Sequence, residues 1–93
     1  MAKVKVDFKV TPGAGVTGYW IAVGDEDVPL TNGMGSIRLA TGVRHLLVWW
    51  FTGNPGSKIA IKGTRGPTTV VEVKGSKIPP GESEGAGGKR FKV

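Results

Sequence analysis

The chain has 93 residues, the size of one domain. It contains no Cys, which excludes a disulfide framework, a thiol nucleophile and Cys-ligated zinc. Thirteen Lys and Arg against seven acidic residues give a net charge of +6, a balance that serves solubility or suits nucleic acid or another polyanion as a partner.

Lys3 to Val10 alternates, with Val4, Val6, Phe8 and Val10 on one side and Lys3, Lys5, Asp7 and Lys9 on the other, which predicts an amphipathic strand. Pro12-Gly13-Ala14-Gly15 ends it, and Tyr19 to Val23 reads as the second strand. Gly24-Asp25-Glu26-Asp27 turns the chain into Val28-Pro29-Leu30, where the proline allows only an edge segment. Asn32-Gly33 is a strong two-residue turn signal. Ser36 to Ala40 follows with Ile37 and Leu39 inward, and Ala40-Thr41-Gly42 reads as a tight hairpin into a long strand over 43–51. Gly53-Asn54-Pro55-Gly56 is the next turn. Lys58 to Lys62 places Ile59 and Ile61 inward, and Thr69 to Lys74 does the same for Val71 and Val73. Residues 75–88, rich in Gly, Pro, Ser and Glu, read as a flexible segment, and Lys89 to Val93 as a basic tail or a short final strand.

These elements predict an all-β domain over residues 1–74, a single immunoglobulin-like β-sandwich of about seven short antiparallel strands, followed by a flexible segment and basic tail over 75–93. An OB-like open barrel is the alternative. No stretch approaches the roughly 20 apolar residues of a membrane-spanning helix, and residues 1–20 hold no apolar signal-peptide core. The expectation is a cytoplasmic or phage-borne protein with no membrane partner.

The segment Val43-Arg44-His45-Leu46-Leu47-Val48-Trp49-Trp50-Phe51 is apolar on both faces. One face carries Val43, Leu47, Trp49 and Phe51 with His45; the other carries Leu46, Val48 and Trp50 with Arg44. One small core covers one face, so the second requires a loop, a tail, a partner or a ligand. With four apolar residues against three, the Val43 face is expected inside and Trp50 outside. An exposed tryptophan beside cations suits a protein partner, a base or a sugar ring.

Signals for catalysis are weak. Gly13-Ala14-Gly15-Val16-Thr17-Gly18 matches a dinucleotide-binding pattern, but it leads into a strand, and pyrophosphate binding needs a helix N-terminus. Asp25, Glu26 and Asp27 read as a solvated turn rather than a calcium loop. His45 is the only histidine and reads as structural. No metal site and no cofactor are expected.

The stretch Ser36-Ile37-Arg38-Leu39-Ala40-Thr41-Gly42-Val43-Arg44-His45-Leu46-Leu47-Val48 resembles a hairpin found in PEGA-type and related immunoglobulin-like domains, in which glycine is followed three residues later by histidine. It covers about a dozen residues, and the Pro-Glu-Gly-Ala signature is absent. The resemblance implies a non-catalytic sandwich and transfers no functional residue. The expected function is protein–protein contact or self-association, as an accessory of a bacterial or phage assembly, with Trp50, Arg44, Leu46, Val48, Lys89 and Arg90 as the binding residues. The alternative is a nucleic-acid- or carbohydrate-binding module built on the exposed aromatic and its cations.

Overall fold

The computed structural model describes residues 2–93; Met1, part of the expected 1–74 domain, lies outside the described residues. Among the described residues eight strands form: β1 (Lys3–Pro12), β2 (Val16–Val23), β3 (Glu26–Asp27), β4 (Met34–Ala40), β5 (Arg44–Gly53), β6 (Lys58–Arg65), β7 (Thr68–Lys77) and β8 (Glu84–Lys92). They make two four-stranded antiparallel sheets, ordered β4-β1-β6-β7 and β3-β2-β5-β8, called here the β1 sheet and the β5 sheet. Among the described residues there is no helix long and apolar enough to cross a membrane.

Period-2 patterning builds the core between the sheets. Val6, Phe8 and Val10 from β1, Ile37 and Leu39 from β4 and Ile59 and Ile61 from β6 meet Ile21, Leu47, Trp49 and Phe51 from the other sheet. Val4 and Val73, expected in this core, are half-buried against it. Burying one such aliphatic side chain contributes about 1.5–3 kcal/mol.

The local turn chemistry behaves as its residues require. Asn32 (φ 53°) and Gly33 (φ 79°) both adopt the left-handed conformation of a two-residue turn, and Thr31 bridges Met34 across it. Three segments depart from expectation. Val28-Pro29-Leu30 is not a strand; the strand lies just before it, where Glu26 and Asp27 pair with Val23 and Ala22. Buried Val28 still bonds the edge of β2 through its amide, to the Ile21 carbonyl. Ala40-Thr41-Gly42 is not a hairpin within one sheet. It carries the chain from β4 in the β1 sheet to β5 in the β5 sheet, with Thr41 N bonded to Ala2 O.

The third departure is the largest. The segment read as a flexible tail supplies the end of β7 and all of β8, which pairs with β5 from Arg44↔Lys92 to Thr52↔Glu84. Its glycines are a packing requirement. Gly85 lies opposite Phe51 and Gly87 opposite Trp49, and the two rings occupy the space where side chains on β8 would stand. A Cβ on Gly85 would lie 2.7 Å from Phe51 Cε1. Buried Phe91 then fills the end of the core, edge-on to Phe8 at 6.4 Å between centroids.

Candidate contact face on the β5 sheet

The core takes Leu47, Trp49 and Phe51 from β5, so Leu46, Val48 and Trp50 face outward, as the apolar count on that strand favoured. Val43 is not part of the inner set: it precedes β5 and is only half-buried. His45 does lie on the inner side. Its Nε2 is 2.8 Å from the Ala40 carbonyl, so the ring spans the crossover between sheets, and its centroid lies 5.6 Å from that of Phe91. This occupies the ring in a structural bond.

The register adds a residue that the sequence reading did not single out. Trp20 on β2 stands directly opposite Trp50 on β5, which in turn stands opposite Ala86 on β8. Each tryptophan is 40% exposed, and Leu46 is 41% exposed. Both indoles are anchored at their polar ends, and in opposite directions. Trp20 Nε1 donates to Asp27 of β3 at 3.0 Å, and Trp50 Nε1 donates to Glu84 of β8 at 3.0 Å. The rings therefore extend away from the β2–β5 seam toward the two edges of the sheet. Beside Trp50 lies an open depression of about 380 Å³ bordered by Pro79, Glu82, Glu84 and Ala86. Alternation around the buried Ile21 carries the signal for an outward Trp20; the carboxylate partner of each indole, Asp27 for Trp20 and Glu84 for Trp50, is set by pairing and leaves no trace in local sequence.

The cations divide by parity. Arg44 stands opposite Lys92 and Leu46 opposite Arg90, so Arg44, Arg90 and Lys92 form a basic corner on the β8 side of this outer face. Lys89 does not join them. It shares the inner parity of Phe91, and its Nζ donates to the Glu72 carbonyl of β7 at 2.8 Å, tying the two sheets together along the β7–β8 seam. Trp49 reinforces the seam by donating from Nε1 to Ser76 Oγ at 3.1 Å. Of the six expected binding residues, Trp50, Arg44, Leu46, Val48 and Arg90 thus share one face, and Lys89 is structural.

Acids lie elsewhere on the same face. Asp27, opposite Ala22, sits on the β3 edge level with Val48, and Glu84, opposite Thr52, sits on β8 at the end away from the basic corner; Glu26, opposite the buried Val23, has the inner parity. The face therefore carries Asp27 on its β3 side, the two indoles across its middle, and on its β8 side the basic corner at one end and Glu84 at the other. Comparison with family models, with curated proteins and with solved structures finds no match to this chain.

Proposed function

We propose that the protein is a non-catalytic, immunoglobulin-like β-sandwich that works by contact through the outer face of the β5 sheet, in the cytoplasm or carried by a phage. The partner that this face fits is a second copy of the chain. The observation that carries the reading is the opposed pair of exposed indoles, Trp20 and Trp50. Exposed apolar stripes of this kind mark interaction sites, and tryptophan is enriched where such sites bind most strongly. Both indole N–H groups already have carboxylate acceptors, so covering the rings leaves neither donor unpaired.

The charge pattern supports a second copy over an unrelated partner. A two-fold axis parallel to the strands exchanges the β3 and β8 sides and preserves the level along each strand. It sets Trp20 of one copy over Trp50 of the other. It also sets Asp27 over the β8 side at the level of Gly88, two residues along the strand from Arg90, and a two-fold contact makes this approach twice. Sheets packed face to face align within about 30°, which keeps this correspondence over the short strands involved.

The test is sedimentation velocity from about 5 to 300 μM, with concentrations chosen to bracket weak association. Wild-type protein should show a concentration-dependent dimer, and Trp20→Ala/Trp50→Ala should remain monomeric with unchanged circular dichroism. A monomer throughout, or a double variant that associates like wild type, would sink the reading. A second reading rests on the depression beside Trp50, where an aromatic ring and the Glu82 and Glu84 carboxylates suit stacking and hydroxyl recognition of a sugar. Quenching of tryptophan fluorescence by an oligosaccharide, abolished by Trp50→Ala alone, would favour it.

A further inference from the structure

The opposite side of the sandwich has a different chemistry. The sequence spreads its lysines along the chain, and the fold gathers many of them onto the outer face of the β1 sheet. Three directly opposed cross-strand pairs there are like-charged: Lys5↔Arg38, Lys9↔Lys62 and Lys58↔Lys77. Like charges directly opposite one another destabilise a sheet. Solubility needs cations on this face, but it does not need them face to face.

The centre of the face is a hollow. Ala60 is too small to fill its place between Thr11 on β1 and the bulged stretch of β7, and an open depression of about 280 Å³ forms over it. Lys9, Lys62 and Lys74 border the hollow together with the Thr11 side chain. Two acids share the face. Glu72 stands opposite Lys62 at the rim, and Asp7 is engaged by the Ser36 hydroxyl and by Lys5 Nζ at 3.6 Å. The three amines around the hollow thus outnumber the single carboxylate beside them.

We infer that this face binds the phosphate backbone of double-stranded nucleic acid, with Lys9, Lys62 and Lys74 at the centre of the contact. Amines and a hydroxyl around an open hollow are phosphate donors, and opposed cations that repel one another are relieved by a polyanion laid across them. Lys5 and Lys9 are four residues apart on β1, about 13–14 Å, which spans about four phosphates of one strand along a duplex axis. Among the described residues the face carries no exposed aromatic ring, so it offers no stacking platform for unpaired bases, and the one exposed large apolar residue described there is Met34 on the edge strand. That lack of apolar anchors also disfavours a lipid surface. Recognition is therefore electrostatic and indifferent to base sequence.

The test is fluorescence anisotropy with a labelled duplex of about 20 base pairs in arbitrary sequence, titrated at about 20–300 mM salt. The logarithm of the binding constant should fall against the logarithm of salt with a slope of about −3 to −5. Lys9→Gln/Lys62→Gln should weaken binding at least tenfold at about 50 mM salt and make the slope shallower by about 2. Both side chains are exposed, so the variant should keep the wild-type circular dichroism. Trp20→Ala/Trp50→Ala should bind the duplex within twofold of wild type, which separates this inference from the contact proposed for the other sheet. Absence of binding at 20 mM salt, wild-type affinity in the double Gln variant, or loss in the Trp variant alone would each overturn it.

Discussion

On the outer face of the β1 sheet Lys9 stands opposite Lys62 and Lys5 opposite Arg38; on the outer face of the β5 sheet Trp20 stands opposite Trp50. The backbone does not cause this difference. Both sheets are four-stranded and antiparallel, and both give their inner faces to one core. Folding asks of an outer face only that it tolerate water. The lysine face meets that demand in excess, with opposed like charges that cost the sheet stability. The tryptophan face falls short of it, with two large rings 40% exposed. These deviations of opposite sign from the same neutral requirement are the ground on which the two proposals rest.

The comparison is most severely tested beneath the faces. Phe51→Ala under the tryptophans should cost about 3–5 kcal/mol, and Ile61→Ala under the lysines about 2–5 kcal/mol, measured by urea unfolding. A loss under roughly 0.5 kcal/mol for Ile61 would mean that its inward register is wrong. Next in size, Gly87→Ala should destabilise by about 1–3 kcal/mol, because the added Cβ enters the space of the Trp49 ring. On the outer surface the effects shrink. Trp50→Ala should change monomer stability by less than about 1 kcal/mol, since a half-solvated ring is removed without opening a core cavity. A loss as large as that of Phe51→Ala would show that the outer ring serves folding rather than contact.

Lys9→Gln should raise stability by about 0.2–0.5 kcal/mol at low salt, by removing one member of an opposed like-charge pair. The gain should vanish near 1 M salt, where exposed charges are screened. A stability loss at low salt would contradict the repulsion on which the contrast rests. The smallest effect concerns Asp7, whose carboxyl is held below its ordinary range by the hydrogen bond from Ser36, with Lys5 adding to it. A lowered folded-state value stabilises the protein above the unfolded value of about 3.9, and the benefit is lost as pH falls further through the folded one. Ser36→Ala should move the Asp7 titration upward in an NMR pH series; an unmoved titration would remove the serine from the account.

Much of this architecture was legible in local pattern, and what was not shares a physical reason. The clean alternation of β1 and the Asn32-Gly33 turn follow from side-chain parity and backbone sterics, which act over a few residues. The outward position of Trp50 followed from counting apolar residues on each face of β5, although Val43, one of those counted, lies outside that strand. The Ala40–Gly42 turn was visible as a turn, but no local signal says which sheet the following strand joins. β8 was hidden because glycine has no side chain with which to alternate. Its pattern lies in β5, whose Trp49 and Phe51 rings require that space. With β8 placed, Lys89 and Arg90 fall on opposite sides, and only Arg90 remains on the contact face.

The position of β8 in the chain has a consequence for biosynthesis. β5 lies between β2 and β8, and β8 is the last of the eight strands to leave the ribosome. Between the end of β5 and the end of β8 the ribosome adds roughly 40 residues, roughly 2–8 s at about 5–20 residues per second. During that interval β5, the most aromatic strand of the protein, has one edge without its partner, and Trp49 and Phe51 lack the floor that Gly87 and Gly85 provide. Nascent chains on one messenger are then exposed to pairing through that edge. The glycine-rich sequence of β8 closes that edge and floors both rings in one step.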